Sequence, residues 1–492
     1  MRILHAAGGT AVQELNWRYR KVPTFGRGTI RRFHKNASAM KRLAARDFED
    51  LLQCAIPVFE GLLPAPHNDI VLDLLFDLAT WQGFAKLRMH TDDTLAFFDT
   101  ATTTLSKSMR KFARHTCMYY HTTELPQEYA ARGRRQAAIA AKQPQTSGPG
   151  PGVKATPTVT PKIKKLNLST YKYHALGDYP NTIRRYGTTD SYSTQMGELE
   201  HRCSKRRFPR SGKKKGTMVT SMANQEAIER FIRKVNAARV TLAPGQDILH
   251  STRCSRTSPS EHYHIAASSR QGHDLTVWLG DRRNDPAVEN FIPQLKDHFL
   301  ARLRGMAYNG DEYDFSDQDR DCILFHDNKF FEHSVLQINY TTYDLRRDQD
   351  SINPRTRADI MVLSQEDERS HPYWYARVTL IFHIMVEYRK DPTSTYSRPS
   401  RMDVLFVRWF QRDTNFDVGW NAKRPFRLQF FDQHNISDAF GFVNPDSVVR
   451  SVHLIPVFAL GSTDELLGPS FVRQERGTEG WDFDWRYFYV NM

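Results

Sequence analysis

The first half of the chain carries apolar residues at three- and four-residue steps, which is the pattern of amphipathic helices. One such stripe runs over residues 40–59 with Ser38 as its predicted N-cap, a second follows Asn68, and a third spans residues 91–118. Each apolar stripe must be shielded from water. Short Pro-containing connections place neighbouring helices close enough to shield it. The pattern therefore predicts a helical bundle over residues 36–130.

Beyond residue 306 the pattern changes to short runs of β-branched and aromatic residues separated by turn residues, which is typical of strands. The predicted strands cover residues 360–363, 373–388, 402–410, 449–460 and 486–490. Their spacing favours a small antiparallel barrel or sandwich. Before them, Asp285 and Pro286 predict the start of a helix that runs to Gly305 and bends at Pro293.

Together these patterns predict an α+β protein with an N-terminal helical bundle, a basic linker and a C-terminal β-barrel-like module. The predicted segments are an irregular basic lead-in (1–35), a helical domain (36–130), a flexible linker (131–165), a motif segment with a basic cluster (166–215), a helical segment (216–305) and a β-rich domain (306–492).

Composition narrows the class of protein. The 492 residues are 40% hydrophobic and 12% aromatic, which excludes a mainly disordered or fibrous chain. The five cysteines are odd in number and scattered, so we expect a reducing compartment and no disulfide framework. No apolar run is long enough to span a bilayer, and the start lacks the pattern of a signal peptide. A soluble intracellular protein without a membrane partner is expected.

The positive charge is concentrated in one stretch. The net charge is +14, and residues 132–215 hold 19 Lys and Arg against four Asp and Glu. Such a field attracts polyanions and weakens with salt, as in nucleic-acid binding, and a dense cluster can also be a nuclear import signal. A solvated basic linker is the alternative. The predicted DNA-contacting residues are Arg184, Arg185, Arg202, Lys205, Arg206, Arg207, Arg210, Lys213, Lys214 and Lys215.

Glu198 and Glu200 lie beside His201, directly before the basic cluster. Carboxylates near cations can bind a divalent metal at a phosphate, or they can form surface salt bridges. A two-metal site needs acidic ligands that converge from separate strands, which one local pair does not supply. We therefore expect no cofactor, since Mg²⁺ would bind only if the acidic site were complete.

Two further groups of side chains are candidates for chemistry. The Cys and His groups 254, 262, 264, 273 and 322, 326, 333 lack the paired spacing of a zinc knuckle, so no metal site is predicted. The C-terminal aromatics Tyr373, Trp374, Tyr375, Trp409 and Phe410 could form a wall that takes a cation or a base, or a barrel core.

Three long segments carry a family resemblance. They are TYKYHALGDYPNTIRRYGTTDSYSTQMGELEHR (170–202), HNDIVLDLLFDLATWQGFAKLRMHT (67–91) and INYTTYDLRRDQDSINPRTRADIMVLSQEDERSHPYWYARV (338–378). They resemble the C-terminal half of fungal Plavaka-type transposases, which are related to the CACTA and the Kyakuja, Dileera and Zisupton groups. That family has an RNase H-like core with three acidic residues and divalent metal, and its zinc-finger region and first two aspartates have no counterpart here.

The resemblance implies roles for a few residues. CACTA sequences carry a His-containing helix and then an aromatic-Glu-Arg motif, to which His174 and residues 198–202 are similar. Glu198 or Glu200 would correspond to the third acid. This implies a truncated, transposase-derived nuclear protein that binds DNA, with a chromatin or transposase partner, and lacks a complete catalytic triad. The alternative is a chromatin reader acting through the β domain, whose strand pattern resembles bromo-adjacent-homology modules.

Overall fold

The fold is that of a computed structural model. It describes residues 1–26, 28–39, 43–142, 160–194, 201, 204–214, 216–242, 261–306, 313–364, 371–391, 393–432, 436–473 and 484–491. The chain divides into two compact units. Unit 1 comprises Met1–Thr80, Thr103–Thr170 and Pro259–Met492, and unit 2 comprises Trp81–Thr102 and Tyr171–Ser258.

Helices occupy most of the described residues up to 242, and shorter ones lie among the strands that follow. In chain order they are α1 (Arg2–Ala7), α2 (Ala11–Lys21), α3 (Ala45–Gln53), α4 (Ala55–Phe59), α5 (His67–Lys86), α6 (Asp92–Tyr119), α7 (Pro126–Lys142), α8 (Tyr171–His174), α9 (Tyr179–Tyr186), α10 (Met218–Leu242), α11 (Leu275–Gly280), α12 (Phe291–Leu303), α13 (Asp317–Arg320) and α14 (Ile436–Ala439).

The strands lie in the C-terminal part of unit 1. They are β1 (Tyr263–Ile265), β2 (Gly272–Asp274), β3 (Ile323–His333), β4 (Leu336–Thr341), β5 (Arg347–Ile352), β6 (Asp359–Leu363), β7 (Tyr373–Tyr388), β8 (Ser400–Arg412), β9 (Arg427–Phe430), β10 (Phe440–Val443), β11 (Val448–Ser451), β12 (His453–Pro456), β13 (Ser462–Thr463), β14 (Asp484–Trp485) and β15 (Phe488–Asn491).

The main sheet is antiparallel and open. Its order is β11-β6-β7-β8-β9-β15-β12, and β10 pairs with β8 while β3 pairs with β7. The long strand β7 has different partners along its length, since β6 pairs with its first half and β3 with its second. Within the described residues no sheet closes into a barrel, so the predicted α+β class is confirmed and the predicted layout of a helical bundle with a barrel-like module is not. The branching at β7 leaves β11 and β12 as separate edges.

Both faces of the central strands are buried, because helices and a smaller three-stranded sheet, β1-β4-β5, cover them. On one face Leu380, Phe382 and Phe406 pack with α12. On the other face Ile381 and Leu405 pack with β4 and β11. Complete burial of such a side chain contributes roughly 1.5–3 kcal/mol, so this double-sided core holds unit 1 together.

The helical predictions are confirmed for α5 and α6, but their details differ. The first predicted stripe is divided between α3 and α4, and α3 begins only at Ala45. Ser38 does not cap a helix, because its Oγ accepts a hydrogen bond from Asn16 Nδ2 at 2.9 Å. Asn68 lies inside the first turn of α5, where its Oδ1 accepts from the Gly61 N–H.

Two other predictions need correction. Asp285 is a cap, but of the short 3₁₀ turn Pro286–Val288, where it accepts from the Ala287 N–H at 3.0 Å. Helix α12 starts later, which places Pro293 in its first turn, where a missing N–H costs nothing and the helix need not bend. The predicted linker is helical up to the end of α7, and residues 143–159 lie outside the described residues.

Candidate nucleic-acid interface

In unit 2, a buried arginine joins the basic cluster to helix α10. Arg207 is 8% exposed, and its Nη1 and Nη2 lie 3.1 Å from Glu226 Oε2 and 2.8 Å from Glu229 Oε2. The two carboxylates are three residues apart, so they lie on one face of the helix. Arg207 therefore fastens the chain before Pro209 to α10, and this contradicts its predicted role as an exposed DNA contact.

A short turn then directs the following cations outward. Phe208–Arg210 forms a 3₁₀ turn, which Ser211 closes by donating from its Oγ to the Phe208 carbonyl at 2.7 Å. Lys213 has a positive φ of 52°, and its Nζ lies 5.8 Å from the centre of the half-exposed Phe208 ring. The Lys214 carbonyl accepts from the Met218 N–H, which leads the chain into α10.

The cations of this region face solvent. We define the basic face as the exposed residues Lys205, Arg206, Arg210, Lys213 and Lys214 together with Arg230, Arg233 and Lys234 of α10. The carboxylates of α10, Glu226 and Glu229, are bound by the buried Arg207. Arg230 also lies 3.3 Å from Glu226. Among the described residues, the positive charges of the basic face therefore exceed the negative charges of α10.

The titration of Glu229 shows how close these cations lie. Its pKa is lowered first by the hydrogen bond from Arg207 and then by the charges of Arg207, Arg206 and Arg210. A lowered carboxylate pKa reports a positive local potential. Two cations of the basic face, Arg206 and Arg210, thus lie close enough to α10 to act on Glu229.

Helix α9 carries the other two predicted contacts. It starts at Tyr179, whose ring lies edge-on to Trp81 at 4.9 Å, and Ile183 is buried. Arg184 is engaged by Asp99, with Nη2 and Oδ2 2.5 Å apart. Arg185 is exposed. Of this pair, Arg185 alone presents a guanidinium that no described carboxylate binds.

Several predicted site residues cannot be placed. Glu198, Glu200, Arg202 and Lys215 lie outside the described residues. In the part of the chain that is described, no group of three or more His, Cys, Asp or Glu residues could hold a metal ion.

Three histidines of the two candidate zinc groups have other partners. His262 Nε2 lies 2.7 Å from the Val448 carbonyl, His326 Nδ1 lies 2.7 Å from Glu387, and His333 Nε2 lies 2.7 Å from His383 Nδ1. Cys254 lies outside the described residues. These histidines are therefore held by structural hydrogen bonds.

The C-terminal aromatic residues do not form one wall. Tyr375 and Phe410 are directly opposite each other on β7 and β8, and both are buried in one core cluster. Trp374 and Trp409 pack against a different cluster on the other face. Alternation along a strand explains this split, since neighbouring side chains point to opposite faces.

Sequence reasoning missed the cations of α10. Arg230, Arg233 and Lys234 lie 15 or more residues beyond the dense cluster, but the turn and Arg207 make them part of the same face. Their spacing of three and four residues is a usable signal for one cationic side of the helix, because it places them on adjoining helical positions. The apolar stripe of this helix is also exposed, with Ile228 at 59% and Phe231 at 67%.

The comparisons with known proteins leave the family open. No family model matches the chain, and neither a curated protein nor a solved structure is similar to it. Among the described residues, no helix combines the length and apolar character that crossing a bilayer requires.

Proposed function

We propose that this protein is a transposase-derived, DNA-associated protein that binds duplex DNA through the basic face of unit 2. One observation carries the proposal: the cations of this face are exposed, while the nearby carboxylates Glu226 and Glu229 are occupied by the buried Arg207. An excess of exposed Lys and Arg can replace the counterions of a phosphate backbone. The resemblance of residues 67–91, 170–202 and 338–378 to Plavaka-type transposases supports the same partner.

The chemistry of the face favours affinity without sequence selectivity. Its donors are cationic side chains, which contact phosphates and carry no base information. Binding that depends on counterion release weakens steeply as salt rises. We also propose a nuclear location, since the same cluster has the density of an import signal.

We further propose that the protein binds DNA without cutting it. Transposase chemistry of this class needs three acids around two metal ions. Glu198 and Glu200 are the residues that the resemblance assigns to the third acid, and it matches no residue of this chain to the other two. The resemblance thus supports binding without catalysis.

The binding experiment uses the full chain and a fluorescent 20-bp duplex of arbitrary sequence. Five substitutions to Gln, at Lys205, Arg206, Arg210, Lys213 and Lys214, should weaken binding at least tenfold at low salt. The slope of log affinity against log salt should also fall by about 0.9 for each phosphate that the variant no longer binds. The matched control replaces five exposed unit 1 cations and should keep the affinity. They are Arg270, Arg347, Arg355, Lys390 and Arg398.

Two outcomes would overturn the proposal. An equal decrease in the control would mean that net charge alone matters, and affinity unchanged between 50 and 200 mM salt would exclude counterion release. Separately, DNA cleavage and strand transfer with Mg²⁺ or Mn²⁺ should stay at background. Robust activity that Glu198→Gln abolishes would show that a complete active site exists.

A further inference from the structure

Unit 1 contains a large cavity among its N-terminal helices. Its volume is about 910 Å³, within the range of roughly 300–1,000 Å³ that is usual for small-molecule sites. Helices α2 to α6 supply an apolar wall. This wall includes Leu15, Leu51, Phe59, Leu75, Leu78 and Phe112.

The described residues cover this wall only in part. Leu75 and Leu78 follow each other by three residues on α5, yet neither is fully buried. An apolar surface that the fold leaves open costs free energy unless something apolar covers it. The cavity is thus suited to the apolar body of a ligand.

One end of the cavity is polar and carries an incompletely paired guanidinium. Arg2 Nη2 lies 2.7 Å from Glu128 Oε1, and Glu128 Oε2 accepts from the Leu125 N–H at 2.9 Å. Both oxygens of Glu128 are therefore used. Arg2 Nε is buried and has no hydrogen-bond partner among the described residues. Because Nε is sealed from solvent while the Arg2 side chain is 40% exposed, Arg2 would meet a ligand through its terminal nitrogens.

Two lysines stand at the same end. Lys164 and Lys165 line the cavity and are exposed, with no ion pair among the residues that the structure describes. Their backbone is fixed, because the Lys164 N–H donates to the Thr122 carbonyl at 2.9 Å. The neighbouring carboxylate Glu124 is already bound by Arg132 at 2.7 Å. Arg2, Lys164 and Lys165 thus face a single lining carboxylate, Glu128.

From this geometry we propose that the cavity binds a long-chain carboxylate, with its hydrocarbon chain against the leucines of α5 and its head at Arg2, Lys164 and Lys165. The carboxylate offsets the excess positive charge of Arg2, Lys164 and Lys165. The chain covers the open apolar wall. Both parts of the ligand are required, since neither a short acid nor a neutral chain satisfies both ends of the cavity.

The first test compares three probes on the full chain by isothermal titration calorimetry below their aggregation limits. Palmitate should bind saturably with one site, hexadecanol about tenfold more weakly, and butyrate without measurable heat. Equal affinity for palmitate and hexadecanol would remove the role of the cations. No palmitate binding would overturn the whole inference.

The second test uses variants at the two ends. Ala131→Trp places a large ring in the cavity and should abolish palmitate binding. The triple change Arg2→Gln, Lys164→Gln, Lys165→Gln should lower palmitate affinity about tenfold and leave hexadecanol unchanged. Lys390→Gln with Arg398→Gln, exposed cations elsewhere in unit 1, should change neither. If the tryptophan variant fails to fold, the triple variant decides, and unchanged palmitate affinity there contradicts the inference.

Discussion

In the β-rich part of unit 1, arginines are paired inside the fold. In the basic face, cations of the same charge are exposed to solvent. Arg408 is 3% exposed, lies 3.0 Å from Asp484 Oδ1 and stacks 3.8 Å from the Phe430 ring centre. Lys205 and Arg210 are instead exposed to solvent. A desolvated cation must be paired with a carboxylate or a ring, whereas an exposed one keeps its charge available to a partner.

The difference teaches how to interpret a charge count. In unit 1 the cations come with their own acids, as the partly buried Arg377 does with the directly opposite Asp359 on β6, at 2.7 Å. Outside residues 132–215 the 50 basic and 51 acidic residues almost cancel. In unit 2 the acids Glu226 and Glu229 mainly form ion pairs with Arg207. The cations at the surface are therefore in excess.

Low pH should have the largest effect, and it should destabilise unit 1, because several imidazoles there are held neutral. Burial lowers the pKa of His371, His383 and His453 to about 4 in each case. The unfolded chain binds these protons near pH 6.5 and the folded chain only near pH 4, so stability is complete above 6.5 and falls progressively down to 4.

Urea unfolding at pH 7.5, 6, 5 and 4 measures this decrease. His453 is the sharpest case, since its Nε2 contacts the Pro23 carbonyl at 2.9 Å while Nδ1 contacts Asn491, which leaves no room for a second proton. His453→Gln should flatten the pH dependence. A stability that stays constant from pH 7.5 to 4 would contradict the neutral assignment.

Asp484→Ala should give the largest effect of a single substitution at neutral pH. Asp484 is the carboxylate shared by Arg408 and Arg473, and both guanidinium groups are nearly buried. Burial already lowers the pKa of Arg408 to about 10. Removing the partner of a buried cation costs about 3–5 kcal/mol of unfolding free energy. Denaturant unfolding checks this, with the exposed Asp417→Ala as control, and a decrease below 1 kcal/mol would contradict it.

Lys423→Ala should have an intermediate effect. Its Nζ lies 2.7 Å from Asp77 Oδ2, and Asp77, which is 6% exposed, otherwise accepts from Ser108 Oγ at 2.5 Å. A hydrogen bond to a charged group is worth about 1.5–3 kcal/mol, so a decrease of that size is expected in the same assay. Lys423→Ala combined with Asp77→Asn should recover part of it. No recovery would mean that packing, and not charge, dominates.

Arg210→Gln should be the smallest change in stability and still weaken DNA binding. Arg210 is exposed, so its replacement should alter the unfolding free energy by less than about 0.5 kcal/mol. Unfolding and duplex affinity are both measured on one preparation. A destabilisation comparable to that of Lys423→Ala would place Arg210 with the structural arginines.

The sequence predicts the long, periodic elements of the fold well. Helices α5 and α6 and strand β7 lie at nearly their predicted bounds, because a 3.6-residue or an apolar pattern persists over many residues. Strand β5, RDQDSI, has no such pattern because it is polar, and it was not predicted. Its buried Asp350 is held by Arg450 and the Ser451 N–H, residues 100 positions away that no local pattern reveals.

The candidate site is predictable in the same uneven way. The cluster Lys205 to Lys214 is visible as charge, and its cations are exposed with the exception of Arg207. The burial of Arg207 depends on Glu226 and Glu229, which lie 19 and 22 residues further along, beyond the loop that joins them. Local sequence shows where charge is dense, but it does not show which charged side chain is buried and paired in the fold.

The ion pairs of the buried Arg207 affect how mutagenesis of the basic face should be interpreted. Its removal would uncover two negative groups among the cations of the basic face and would loosen the turn that presents them. An Arg207→Ala variant would therefore lose duplex affinity in two ways, although this side chain never reaches a phosphate. In an alanine scan it would resemble the most important contact, and only a rescue with neutral residues at both glutamates would reveal its indirect role.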